Sequence, residues 1–484
     1  MNSTTLSPTA LAQNAAYTQE YLAYLSEDTH DEANRRLAWA RMGEGTAFYQ
    51  GKPNAISYVS RIFGEETRTF MSTLSQTAYH IMCKVIIAYQ HDPKIRALFH
   101  FDKRVERLVQ LPSCISEPLP LTRVDFMLDE TNGAVHFCEF NTDSSSGMDE
   151  TRNATSSLAP TTPYQEFCAQ HPCKNDLAQL FDGWVDTFLD LLRKPSQEHT
   201  PSPANHSDEP SESTQPTHVG IIVCLEDAHP HIGELQTYAE VFEAHGVSCS
   251  VYDVRELEFD GKNLRGKHAY YGRDNTVIDA IWRFCIVVDL LKYWDQVSPL
   301  ISAVECGAVR MIGAFSTQIV HDKQLFALLR HPLMQALFSP DEQRFIEEHI
   351  PETHFLDEAG LDLEEIAANP QKWVLKPTDW YASINVVAGP DCTPEAWAAH
   401  LESARSDPHT TYIVQRFYAP SQTPTIPLYG NEADFSAPPT TVGNLFGAYV
   451  YAGGFAGLYV RQGPHDVIGT AREGLVAPVL WVDE

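Results

Sequence analysis

Residues 123–148 read Arg-Val-Asp-Phe-Met-Leu-Asp-Glu-Thr-Asn-Gly-Ala-Val-His-Phe-Cys-Glu-Phe-Asn-Thr-Asp-Ser-Ser-Ser-Gly-Met, and the fold turns on them. Two β-prone runs flank Thr131-Asn132-Gly133, which suits a three-residue hairpin loop closed by a left-handed glycine. Counting back from that loop puts Asp125 opposite Glu139. Directly opposed residues share a sheet face, and so do residues two apart along a strand. Arg123, Asp125, Glu139 and Asn141 then project to one side. A two-residue Asn-Gly turn would instead set Glu139 opposite Phe126 and send it to the other face. Two carboxylates and an amide oxygen on one face repel as neighbours but suit a hard divalent cation. Mg²⁺ takes few protein ligands and pairs with phosphate oxygens. Arg123 beside them could meet the same phosphates or a substrate. The same residues also fit a hairpin with a wet polar face and Arg123 as counter-ion, or a glycosidase-like carboxylate pair.

Working outward, residues 11–108 look mainly helical, and residues 69–90 carry apolar side chains at helical spacing. Residues 175–194 form an amphipathic pattern. Residues 194–217 are rich in Pro, Ser, Thr and Glu and lack large apolar side chains, which marks a disordered linker. Beyond it, residues 218–227 read as a buried strand, 232–246 as a helix ending at glycine, and 247–254 and 276–284 as further strands. That order implies right-handed crossovers and a small parallel sheet. Residues 371–377 and 411–418 are strands, and 445–463 a strand pair. The expected divisions are a helical region over 1–110, a metal-binding part over 111–193, the linker, a small α/β domain over 218–315, and a nucleotide-binding part over 316–484.

The hairpin pattern R-x-D-F…E-x-N-x-D-S resembles the metal-binding signature of the glutathionylspermidine synthetase family, whose synthetase part is a circularly permuted ATP-grasp fold. The resemblance implies an α+β architecture containing an α/β unit, with ATP and Mg²⁺ as cofactors and a carboxylate–amine ligation as the activity. By position it makes Asp125, Glu139 and Asn141 the metal ligands and sets Arg123 against the transferring group. Asp143, Ser144 and Ser145 then wall the substrate site. Acidic ligands preceding the nucleotide lysines match the permuted order. Lys376, in Val-Leu-Lys-Pro, resembles the family's phosphate-contacting lysine, and Lys323 resembles a second lysine at a helix start. Gln415 falls on the strand that contacts adenine in the family. Arg461 resembles an arginine that stabilises the transferred phosphoryl group. Arg283, ending an I-D-x-I-x-R strand, is a candidate for holding a substrate carboxylate. Glu226 and Asp227 follow the first parallel strand, where an open sheet exposes its crevice. After Lys376-Pro377 the family has a glycine-rich G-R-x-G-x-N loop. Here only Asn385 matches, with Trp380, Tyr381 and Ser383 in place of Gly, Arg and the second Gly. Fewer free amides and a lost positive charge would loosen phosphate contact.

Composition narrows the alternatives. A net charge of −30 argues against nucleic acid or anionic lipid as partner, and the resemblance implies small-molecule carboxylate and amine substrates. The ten cysteines show no CxxC pair, and Cys168, His171 and Cys173 alone make no zinc site. The first twenty residues lack a signal-peptide pattern, and no run is long enough to span a membrane, so a cytoplasmic protein is expected. Two other classes remain: a degenerate ATP-grasp protein that binds nucleotide or peptide without turnover, and a helical interaction protein with an incidental acidic hairpin.

Overall fold

The structure, a computed structural model, describes residues 4–142, 145–194, 215–225, 232–381, 383–469 and 472–483. Most of the 194–217 segment, and Asp143, Ser144, Glu226 and Asp227 with it, lie outside the described residues.

The hairpin is the edge of the largest sheet. Leu121–Leu128 pairs antiparallel with Val135–Thr142 on one side and with Thr440–Tyr451 on the other. Thr440–Tyr451 continues through Gly454–Gly463 to Leu475–Ala477, which pairs parallel with Ile56–Ser57 from the N-terminal region. Asp125 faces Glu139 and Arg123 faces Asn141, as expected, but the loop is different. The Asp129 amide donates to the Ala134 carbonyl at 2.8 Å, so four residues turn the chain. The Asp129 side chain accepts from the Thr131 amide at 2.9 Å and the Asn132 amide group at 2.7 Å, which holds the longer turn. The register then shifts between Asp125 and Phe126, where Cys138 is extra on its strand, and this bulge restores the pairing. Gly133 has φ +79°, and a Cβ there would stand 2.1 Å from the Leu6 carbonyl oxygen. That position needs glycine twice over.

One face of this sheet is apolar. Val124, Phe126, Phe446, Val450, Leu458 and Val460 share a core with Met71, Leu74, Ala78 and Met82. Those four come from the Glu65–His91 helix, whose buried side chains recur at helical spacing. The other face carries the polar residues, so period-two alternation separates core from site.

The second sheet runs Ala269–Tyr271, Ser248–Asp253, His218–Val223, Ala280–Arg283, Arg310–Ile312, and its last four strands are parallel. The Ile232–Ala244 helix covers it through Leu235, Tyr238, Ala239 and Phe242. The third sheet is antiparallel, in the order Thr353–Phe355, Tyr412–Arg416, Trp373–Pro377, Val387–Ala388. Its own small core joins Trp373, Leu375 and Val414 to Ile366, Trp397 and Leu401 of two backing helices. Among the described residues no helix is long and apolar enough to cross a membrane.

Candidate active site

Asp125 sits at the centre of the polar face with 0% exposure. Arg123 grips it with both arms, Nε to Oδ1 at 2.7 Å and Nη2 to Oδ2 at 3.0 Å. Arg461 reaches Oδ2 from two strands away. Both carboxylate oxygens therefore serve guanidinium groups, and Asp125 orients two arginines. The strand between them makes room: a Cβ on Gly447 would lie 2.8 Å from Arg123 Cδ and from Asp125 Oδ1. Among the described residues Arg461 Nε is buried without a hydrogen-bond partner, so one donor of this pair remains for an anion.

Glu139 is the accessible carboxylate. Burial alone would raise its pKa, but Lys323, Arg461, Lys376 and Arg123 together hold it well below the usual carboxylate range. Lys323 Nζ is 3.5 Å from Glu139 Oε2, and the Asn141 amide nitrogen is 3.4 Å from Glu139 Oε1. Among the described residues no three His, Cys, Asp or Glu side chains gather as a metal site. An ion here would draw on the Glu139 carboxylate and the Asn141 amide oxygen, leaving its other positions to phosphate and water. That sparse protein share is what Mg²⁺ accepts.

Facing this sheet across a cleft is the antiparallel sheet. Lys376, at the end of its central strand, donates to the Gln415 side-chain oxygen at 2.7 Å and to the Cys138 carbonyl at 3.0 Å. The bulge that keeps Glu139 in register thus also presents the carbonyl that holds Lys376. Burial pulls the Lys376 ammonium below its ordinary range. Gln415 is opposite Val374 in the sheet, and its amide donates to Thr353 Oγ1 at 3.0 Å. Apolar Met127, Val374, Phe417, Leu445 and Ile468 line the cleft together with charged Glu139, Lys323, Lys376 and Arg461, and Leu445 stands directly opposite Arg461 in the sheet. His136 stacks on Tyr418 at the same cleft with centroids 3.5 Å apart.

The remaining expected residues separate. Ser145 is buried at 2% exposure, its hydroxyl unpartnered among the described residues, beside the Ser146 carbonyl that accepts from Arg123. Asn385 is exposed, with φ 57°, on the loop after Pro377. Ser383, standing where the family has glycine, has φ 57° too, so the backbone keeps the left-handed turn without the residue that favours it. Arg283 is buried at the end of its strand. Its guanidinium donates to the carbonyls of Gly313, Cys285 and Ala314 and to the Thr317 hydroxyl, at 2.7–3.2 Å and 1% exposure. Those contacts brace the end of its strand. Residues not anticipated include Gly447, whose signal was available as a glycine within an aromatic strand. Glu234 is another: its carboxylate accepts from the Gly147 and Asp149 amides at 3.0 Å each and so caps the Met148–Leu158 helix. Nothing local in the sequence pairs it with that helix.

No protein-family model matches the chain, and no curated protein matches it in sequence. Among solved structures, a glutathione synthetase-like effector from Globodera pallida, solved in its apo form, aligns over 92% of this chain and 96% of its own, with a TM-score of 0.54 and 10% identity. The chain has a glutathione-synthetase-like fold. A candidate gamma-glutamylcysteine synthetase from Methylobacillus flagellatus KT aligns over 81% of this chain and 84% of its own, with a TM-score of 0.36 and 8% identity. At such identity the effector's likeness speaks for architecture alone, so the chemistry has to come from the cleft's own residues.

Proposed function

We propose that this chain is an ATP- and Mg²⁺-dependent carbon–nitrogen ligase that joins a small-molecule carboxylate to an amine. The reading includes the circularly permuted ATP-grasp arrangement, with the hairpin supplying the metal side and residues 316–484 the nucleotide side. One observation carries it: Lys323, Lys376, Arg461 and Glu139, with Asn141 beside it, line one cleft together with apolar side chains. Those apolar side chains can receive a base while the cations neutralise a triphosphate that the mean charge of the protein repels.

In this reading Lys376 and Lys323 hold the phosphate tail, and Glu139 with Asn141 holds Mg²⁺, which screens charge on the transferring group. Arg123 and Arg461, fixed by Asp125, stabilise charge as a carboxylate oxygen attacks the γ-phosphorus and ADP leaves. The amine then attacks the acyl carbon, phosphate departs, and the nitrogen gives up a proton. Amino acids, peptides and polyamines are the substrate classes to try first.

The test is ADP release by purified protein with pooled acids and amines, read by mass spectrometry, with Glu139→Gln as control. Amide product that disappears in Glu139→Gln supports the ligase. A second reading, nucleotide binding without turnover, is favoured by the loop where Trp380 and Tyr381 stand in place of Gly and Arg. Nucleotide binding with no product from any pool would establish that reading instead. Absence of nucleotide binding would refute both.

A further inference from the structure

Two enclosed cations, Arg123 and Arg461, share the single carboxylate of Asp125. Like charges gathered in a poorly solvated place repel, so one anion leaves the pair undercompensated. Sheet register names the further partner. Gly447 stands opposite Asp125 on one neighbouring strand and opposite Tyr459 on the other. With no side chain at Gly447, the Arg123 side chain crosses the gap, where a Cβ would stand 2.8 Å from its Cδ. The guanidinium carbon of Arg123 lies over the Tyr459 ring, 5.4 Å from its centre. That of Arg461 lies over the same ring at 5.2 Å. The face of an aromatic ring carries negative potential, so this one attracts both cations.

The ring is itself fixed. Its hydroxyl donates to Glu150 Oε2, and Tyr459 and Glu150 are only 3% and 8% exposed. A carboxylate that accepts the phenol proton polarises the O–H bond and leaves the ring richer in electrons. Glu150 belongs to the first turn of the Met148–Leu158 helix, whose leading amides are capped by Glu234. Gly147, with φ +112°, packs so close that a Cβ there would stand 2.7 Å from Tyr459 Cε1. The adjoining Ser146 carbonyl accepts from Arg123 and, at 2.7 Å, from the Tyr449 hydroxyl. Residues 146–150 therefore grip the ring and one of the arginines together. Neither Tyr459 nor Glu150 is among the residues lining the cleft, so both act through the arginines.

We infer that Tyr459, held by Glu150, is the positioning residue that keeps Arg123 and Arg461 together on Asp125. Asp125 supplies one attraction and the ring supplies the second. Without the ring the two cations repel, and Arg461, the more exposed of them at 13% against 7%, moves off Asp125. The effect on turnover rests on the proposed function; the positioning itself does not. In that reading Lys323 and Lys376 still hold the phosphate tail, so nucleotide binding is spared. What is lost is stabilisation of the charge on the transferring group.

Arginine side-chain NMR on the full chain, without nucleotide, reads the positioning directly. The Arg461 Nε–H resonance, assigned by its absence in Arg461→Lys, should lie upfield of exposed arginines because its guanidinium stands over a ring. That displacement should persist in Tyr459→Phe, which keeps the ring, and disappear in Tyr459→Leu. A resonance unchanged in a folded Tyr459→Leu chain overturns the inference. Where amide formation is measured, Tyr459→Leu should lower kcat about tenfold and leave KM for ATP unchanged, as loss of two cation–ring contacts implies. A raised KM with kcat intact overturns the role. Tyr459→Phe and Glu150→Gln weaken one bond from opposite ends, so the double variant should lose no more than either single. Additive losses overturn the part given to Glu150, and this milder pair decides if Tyr459→Leu does not fold. The expected displacement, with no amide from wild type, would leave the positioning standing and remove the ligase reading.

Discussion

Asp125→Asn and Glu139→Gln each delete one negative charge from the same strand pair, and the structure separates their effects. Asp125 is fully enclosed, bonded to Arg123 at 2.7 and 3.0 Å and to Arg461, whose side chains are 7% and 13% exposed. An asparagine there leaves two enclosed guanidinium groups without an anion and turns an N–H toward one of them. Breaking a buried pair from one side costs about 3–5 kcal/mol, and with two cations sharing one carboxylate the upper part of that range applies. Glu139 is 28% exposed, and its nearest cation, Lys323, stays bonded to the Trp380 carbonyl when the carboxylate is gone. Its loss should cost less than that of Asp125, although the four cations that hold its carboxyl ionised also make it stabilising. It should, however, remove the Mg²⁺-dependent part of the stabilisation by ATP, which is about 2.7 kcal/mol when ligand stands at a hundred times its Kd. Denaturant midpoints and thermal shifts, with and without Mg²⁺-ATP, measure both quantities. An Asp125→Asn protein as stable as wild type, or a Glu139→Gln protein that keeps the full Mg²⁺-dependent shift, would refute the assignment of counter-ion and ligand.

Other outcomes follow from the same coordinates. Gly447→Ala must push its Cβ against Arg123 and Asp125, both 2.8 Å away, so stability should fall by about 1–3 kcal/mol. Turnover should fall as well, and a folded variant of unchanged activity would show that the ion pair tolerates displacement. Lys376→Met should weaken nucleotide binding more than about tenfold, since one charge contact of this kind carries well over 1.4 kcal/mol; isothermal titration checks it. Arg283→Lys loses the planar fork that meets three carbonyls, so the melting temperature should drop while KM for any substrate is unchanged; a raised KM would place Arg283 at the substrate site. Glu234 keeps its proton up to about pH 8 because of burial, whereas an unfolded glutamate releases it near 4.5. The native state therefore loses stability as pH climbs between those values, and Glu234→Gln should flatten that slope in denaturation curves at pH 5 to 8.

Some of this was legible in residue order alone. Alternation along residues 121–142 sorts apolar from polar side chains, because successive side chains on a strand point to opposite faces. The pairing of Asp125 with Glu139 emerged correctly even though the loop was read one residue too short, since the bulge at Cys138 offsets the longer turn. The strand–helix–strand order after residue 217 likewise announces its parallel sheet, as crossover handedness leaves few alternatives. Lys323, Lys376, Gln415 and Arg461 were singled out by resemblance to a family's motifs rather than by residue order alone, and all four line the cleft.

What order could not decide is which charge each charge meets. Asp125 and Glu139 look equivalent in sequence. Only the placement of Gly454–Gly463 two strands away brings Arg461 to the first, and only the approach of Lys323 from a separate helix leaves the second open to the cleft. Arg283 reads as a ligand-binding arginine until the carbonyls of residues 313 and 314 close around it. Gln318 and Asp379 lie 61 positions apart and meet only when the loop folds onto the buried stretch. Periodicity follows from local backbone geometry, so it can be read along the chain. Electrostatic partnership depends on distance and desolvation between segments remote in sequence, so tertiary packing alone determines it.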